Sequence, residues 1–406
     1  MLTARRRRIP TAAATLSFLL CAMISAGAYA VETPALKILR TLQSLQGKHG
    51  FLAPELLPPL IELGQLYGAG QCDRAIEILD LALEVSRRKE GLFNPAQLEI
   101  YEPLLNCYVT LDRPVELDRA QQYVILIDEQ RYGRDDLRML PALEQAGRRY
   151  EEVGLYLSAR KLYRRAVDIA SHAAGENDLR LVGPLRGIAR AFRLEYAYGL
   201  ALPDLAHVPY ESAEIVSYAS FDGMDTRLDP YGERSLERAV AILRSHPDAD
   251  PNLRVETLLE LGDWHQLADH RRAALRTYRE LWRELNSNEL ARTEVRNIEV
   301  LDRPAALIAR HNTGTRVRRP PADLERFQKY IVDLDYSVTR EGRAENVAIT
   351  ESNAPRGIEI KIARDLKLTR FRPRFVDGEP VDTAGMHQRQ NFYSTRLAKP
   401  TKLASK

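Results

Sequence analysis

The stretch LLELGDWHQLADHRRAALRTYRELW, Leu258–Trp282, decides the fold. Its apolar residues recur at three- and four-residue spacing on both sides of a short polar turn, the mark of two amphipathic helices in succession. Gly262 and Ala274 are small, and Tyr278 is large. Small residues let two antiparallel helices approach closely, and the aromatic ring fills the space beside them.

The same offsets return elsewhere. Leu143–Ala166 carries Gly147, Tyr150, Ala159, Tyr163 and Ala166. Leu60–Ala82 carries Gly64, Tyr67, Ala75, Leu79 and Ala82, with one residue fewer in the turn. Four stretches also share a proline-led shape: LLPPLIELGQLY (Leu56–Tyr67), IYEPLLNCYVTL (Ile100–Leu111), RMLPALEQAGRRY (Arg138–Tyr150) and LVGPLRGIARAF (Leu181–Phe192). Their prolines, Pro59, Pro103, Pro141 and Pro184, are spaced by 44, 38 and 43 residues. Each is expected in the first turn of a helix, where its missing N–H is no loss.

These residues resemble the tetratricopeptide repeat, a helix-turn-helix unit of about 34 residues. The resemblance covers roughly Leu36–Arg310, with inter-repeat loops longer than usual. It implies a helical solenoid in which stacked units bury one continuous core, with a surface for peptides or proteins. The pattern weakens between Pro184 and Leu243, where Leu202–Glu233 reads as a long loop or a disturbed helix pair.

At the amino end, Arg5–Arg8 precede an apolar run from Thr11 to Gly27 and the small-x-small sequence Ala28-Tyr29-Ala30. That is the plan of a secretory signal peptide, so residues 1–30 are read as a leader and the mature chain as periplasmic. A retained inner-membrane anchor is the alternative. Loss of the four leader arginines takes the net charge from +3 to −1, which argues against a nucleic-acid partner. Cys72 and Cys107 remain after cleavage. In an oxidising compartment they are the pair a disulfide would join; the alternative is two buried free thiols.

The period changes near the carboxyl end. The helical region is expected to span residues 31–310, a linker residues 311–321, and a small α+β domain residues 322–393. A flexible tail, residues 394–406, follows. In VDLDYSV, Val332, Leu334, Tyr336 and Val338 alternate with polar residues, as in a half-buried strand. A turn at Thr339–Gly342, a strand at Asn346–Thr350, a helix from about Arg356 and a last strand across Gly385–Tyr393 complete a β-β-α-β order. Ile358, Ile362, Leu366 and Thr369 fall on one face of that helix.

Gly342, Asn346, Val347, Phe371 and Pro373 stand at spacings similar to those of the TonB-family C-terminal domain. The resemblance spans about Pro320–Tyr393. It implies β-augmentation, in which an extended peptide of an envelope partner, such as an outer-membrane transporter, adds a strand to the sheet edge. The edge expected to take it runs beside Gly385, Met386, Gln388, Gln390 and Phe392. Family members often carry Tyr-Pro ahead of the first strand; the counterpart here is Arg319-Pro320, without the tyrosine. A histidine in the leader and a long proline-rich arm are also missing, so the resemblance carries the peptide-binding module further than it carries force transduction.

The sequence shows no Gly-x-Ser-x-Gly, His-Glu-x-x-His or phosphate-loop motif. His265 and His270 are five apart and read as repeat-helix residues, not ligands. The chain is therefore read as multidomain and non-enzymatic, without a cofactor, a metal or a small-molecule substrate. It is expected to bind protein or peptide partners in the cell envelope, as a TonB-like link or as a structural scaffold. Intact mass of the exported protein is expected to place the mature amino terminus at Val31; a full-length species held in the inner membrane would contradict the leader reading.

Overall fold

Short polar residues start some of the helices. Thr33 Oγ1 accepts from the Leu36 N–H, Asp229 from Tyr231 and Asp250 from Asn252, each satisfying a backbone donor that a helix leaves open at its start. The structure is a computed structural model that describes residues 33–198, 228–286, 301–307 and 327–395. The expected leader, the linker with Arg319 and Pro320, and residues 396–406 lie outside the described residues. So does 202–227 of the expected insertion. Its end does not interrupt the pattern: Pro230–Glu233 form the first turn of a helix. The chain divides into two units at Leu155, and each is described by itself.

The first unit contains α1 (Pro34–His49), α2 (Leu57–Gly68), α3 (Cys72–Glu90), α4 (Gln97–Thr110), α5 (Pro114–Tyr132) and α6 (Leu140–Glu152). In the α2–α3 hairpin Gly64 lies against Leu79, which a Cβ on residue 64 would overlap. Pro59 and Pro141 sit in first turns, as expected. Pro103 does not; it lies inside α4. The start signal there is Asn94-Pro95, whose Asn94 Oδ1 accepts from Ala96 N at 2.9 Å. An interior proline removes one intrahelical hydrogen bond and strains the preceding turn.

Cys72 opens α3 and Cys107 lies in α4; both are buried and both are free thiols. Cys72 Sγ donates to Gly68 O at 3.6 Å. Burial first, then a hydrogen bond with Cys72, pushes the Cys107 thiol up to about 12. Disulfide formation needs a thiolate, which burial disfavours at Cys107.

The second unit contains α7 (Tyr156–Ala174), α8 (Val182–Tyr198), α9 (Pro230–Ser245), α10 (Pro251–Leu267) and α11 (Arg271–Asn286). Close approach is again made at glycine: Gly187 meets the Tyr163 ring, Gly232 meets Trp264, and Gly262 meets Tyr278. Among the described residues no helix is long and apolar enough to cross a membrane.

A mixed α/β region follows the helices within this unit. It comprises β1 (Ala305–Ala306), β2 (Phe327–Val338), β3 (Ala344–Ser352), α12 (Arg356–Leu368), β4 (Phe371–Arg372), β5 (Arg374–Val376), β6 (Glu379–Val381) and β7 (Thr383–Thr395). The helical region was expected to run to residue 310, yet β1 already pairs with β4. The main sheet is antiparallel with strand order β3-β2-β7. Val332, Leu334, Tyr336 and Val338 of β2 pack with Ile362 and Leu366 of α12 in one core. Asp377 and Gly378 both take positive φ and close the β5–β6 hairpin, as their sequence signals.

Native protein is expected to resist thiol alkylation at both cysteines, and unfolding without reductant should expose two reactive thiols by mass. Labelling that requires prior reduction would mean that the Cys72–Cys107 bridge forms.

Candidate functional site

In most amphipathic repeat helices one side faces solvent. In α10 every residue from Leu261 to Leu267 is buried, including Asp263, His265 and Gln266. The segment LTRFRPRFVDGEPV, Leu368–Val381, covers the remaining side. Alternation along β4 sends Phe371 into the core of the α/β region and Arg372 the other way. Arg372 Nε and Nη2 donate to Asp263 Oδ1 and Oδ2, both at 2.8 Å. The Tyr278 hydroxyl donates to the same Asp263 Oδ1 at 2.8 Å. Side-chain exposures of 11% and 6% make this a buried ion pair with two-pronged geometry.

Burial alone would lower the Arg372 pKa; the Asp263 charge overcomes it and leaves Arg372 raised. Burial, then Asp263, drives the Tyr278 pKa well above its ordinary value, so the hydroxyl stays protonated and donating. Phe375 meets the Tyr278 ring edge-on at 5.4 Å between centroids.

Neighbouring contacts continue the seam. Gln266 Nε2 donates to Glu341 O at 2.8 Å and to Phe371 O at 3.0 Å, using both amide hydrogens on backbone carbonyls. Gly342 is required there twice over. Its φ is +74°, and a Cβ would overlap Phe371 O and Gln266 Nε2. Asp269, in the α10–α11 turn, faces Arg343 Nη2 at 3.6 Å and Arg370 Nη2 at 3.4 Å. Arg279 donates to both oxygens of Glu379 on β6, at 2.8 and 2.7 Å. The α/β region is thus fixed to the last helical hairpin along the whole quoted segment.

The second feature is the edge of the main sheet. From Tyr336↔Met386 to Phe327↔Thr395 the β2–β7 register is unbroken, and the outer side of β7 meets no strand among the described residues. The opposite edge, β3, carries two irregularities in its pairing with β2. Asn346, at φ +53°, lies in the second of them, and its Nδ2 donates to Ser337 Oγ at 3.0 Å. Bulges twist an edge away from further pairing, so β7 is the better template.

Met386, Gln388 and Gln390 lie opposite Tyr336, Leu334 and Val332 and share the half-buried face of the sheet. Met386 packs on the core. Gly385, at φ +70°, marks a register shift at the start of this run. Phe392 pairs with Tyr330 through the backbone; its side chain lies outside the described residues. The other face is charged: Arg389 donates to both oxygens of Asp333 at 2.8 and 2.6 Å, and His387 Nδ1 is 2.8 Å from Asp335 Oδ1. The Arg389 hydrogen bonds hold the Asp333 carboxyl below the usual carboxylate range.

An open groove of about 510 Å³ lies between α9, α10 and α11, lined in part by Arg244, Arg276, Arg283 and Glu280. Arg244 is bound to both Glu280 oxygens. His265 and His270, read from sequence as unrelated, both face Glu233 Oε1. His270 is not on the His265 helix but in the turn after it, so spacing along one helix did not apply.

No family model and no curated protein matches the chain. Among solved structures it is similar to the kinesin-light-chain-type, nearly identical TPR-like repeats from Podosopora anserina. There the identity is 16% and the TM-score 0.41, with 58% of this chain and 98% of that chain covered. It is also similar to BtubC (BKLC) from P. vanneervenii, with 14% identity, a TM-score of 0.39, and 64% and 92% covered.

Removing one partner of a buried ion pair strands the other and costs about 3–5 kcal/mol. Asp263→Asn and Arg372→Met are each expected to lower stability by about that amount in urea titrations. The double variant should cost less than their sum. Additive effects would show that the two side chains do not interact.

Proposed function

We propose that this chain is a non-catalytic interaction scaffold of the cell envelope, in which tetratricopeptide-like helices and a fixed α/β region together present surfaces to protein partners. The observation that carries this reading is the buried Arg372–Asp263–Tyr278 cluster. A region held through two hydrogen bonds from Arg372 to one buried carboxylate is suited to work as part of the repeat body, not as a tethered arm. The leader at residues 1–30 supports a periplasmic location for that body.

A second reading has its own observation. The outer edge of β7, unpaired among the described residues, presents backbone donors and acceptors, the template on which an extended peptide adds as a further strand. The TonB-like spacing of Gly342, Asn346, Val347, Phe371 and Pro373 is compatible with a transporter peptide as that strand. In this reading the scaffold captures one partner at β7 and another along its helices. A scaffold without any role in TonB-dependent transport needs only the second of these surfaces.

Proline distinguishes them. Along an edge strand, N–H groups point alternately inward and outward, so Gln388→Pro and Arg389→Pro remove one of each. In the mature chain, the outward-facing variant should fold normally and lose binding to extended peptides from transporter plug regions. Hydrogen exchange should show protection of β7 on peptide addition only in the parent and folded controls. Flat exchange across β7 at saturating peptide would leave the scaffold reading without edge capture. Partners in envelope extract that bind equally to the parent and to the proline variant would place recognition on the helices.

A further inference from the structure

The α10–α11 turn brings two histidines to a carboxylate of α9. Glu233 and Glu237 are four residues apart on that helix, so they share a face. Glu233 Oε1 lies 3.3 Å from His265 Nε2 and 3.1 Å from His270 Nδ1. One donor atom each from Glu233, Glu237 and His265 lie within 4.8 Å of one another.

Thr277 of α11 bears on which atom of His265 carries its hydrogen. The Thr277 hydroxyl donates to Ala273 O at 3.0 Å, which uses its one proton. The same oxygen is 3.3 Å from His265 Nδ1 and faces it as an acceptor. With the ring hydrogen on Nδ1, Nε2 is left with its lone pair. Burial is the largest influence on His265 and lowers its pKa. Glu233 opposes this, while His270 and Arg276 add to it. In that tautomer Nε2 and Glu233 Oε1, 3.3 Å apart, both present lone pairs, an arrangement that a cation between them satisfies.

We propose that Glu233, Glu237 and His265 form a binding site for a divalent transition-metal ion of the Zn²⁺ class, with His265 coordinating through Nε2. Two carboxylates and one imidazole make a three-ligand N/O set that suits zinc and leaves a fourth position open. Thr277 is a positioning residue: it holds the imidazole in the tautomer a metal needs, as hydrogen-bond partners of metal-ligating histidines do. His270 holds the Glu233 carboxylate. Arg276 opposes a cation here, and Arg244, Arg279 and Arg283 line the same groove as Glu237 and His265, with Arg244 bound to Glu280. The site joins α9 to the end of α10, next to Gln266 and Asp269, which hold the α/β region. Occupancy is expected to stabilise the hairpin on which that region is fixed.

The test uses the full mature chain, stripped with chelator and titrated with Co²⁺ and then Zn²⁺ alone. One equivalent of Co²⁺ is expected, with visible d–d absorption that Zn²⁺ abolishes by displacement. Glu237 is exposed and makes no hydrogen bond among the described residues, so Glu237→Gln should fold normally and bind at least about 100-fold more weakly. Thr277→Val should weaken binding about 10–100-fold, and Thr277→Ser should restore it. Failure of the parent chain to take up a stoichiometric ion would overturn the proposal. So would uptake that Glu237→Gln leaves unchanged, because the ion would then sit elsewhere.

Discussion

Asp263 sits in the middle of a repeat helix with 5% of its surface exposed. An ionised carboxylate in that position is costly unless it is paired and hydrogen-bonded. The helical hairpin supplies one donor, the Tyr278 hydroxyl; the other two come from Arg372, 109 residues further along the chain. The last hairpin is therefore incomplete by itself. Its α10 helix is buried on every side over Leu261–Leu267 because the α/β region is the layer that covers it. Arg372 is likewise buried, and there it meets the Asp263 carboxylate and the Tyr278 hydroxyl. Each part carries a buried charge that the other neutralises.

This dependence organises the rest of the second unit. The contacts that fix the α/β region to the helices come from the Thr339–Gly342 turn and from β4, β5 and β6. The bonds that β7 makes run to β2. Fixation and edge presentation thus use different strands of one small region, and an added strand on β7 leaves the Arg372–Asp263 pair untouched. Glu233, Glu237 and His265 lie on the far side of the same α10 terminus, so an ion bound there acts on the helix that carries both.

Much of this was legible in sequence where the physics is local or periodic. Gly64 and Gly262 were readable because close helix approach admits only hydrogen at the contact, and the structure puts Leu79 and Tyr278 there. The Val332–Val338 alternation, the Asp377-Gly378 turn and the apolar face of Ile358, Ile362 and Leu366 are local signals of the same kind. Pro103 misled because the helix already starts at Gln97, after the Asn94–Ala96 turn, so the proline falls inside it. The buried pair was not legible. Its members are distant in sequence, and neither periodicity nor a motif links them. One signal was present: Asp263 lies in an apolar stretch between Gly262 and Trp264, where a lone carboxylate asks for a partner. The His265–Glu233–His270 arrangement was missed because the histidine spacing was read along one helix, while a turn separates them and the carboxylate comes from another.

The central claim is that the last helical hairpin and the α/β region open together. Native-state hydrogen exchange across a denaturant series measures this directly, because units that unfold as one share an opening free energy and its denaturant slope. The account predicts that the slowest amides of Val332–Val338 and of Val255–Leu267 converge on one free energy and one slope. Amides of Val332–Val338 that open at lower free energy and smaller slope, while Val255–Leu267 stays protected, would show an independent module and contradict it.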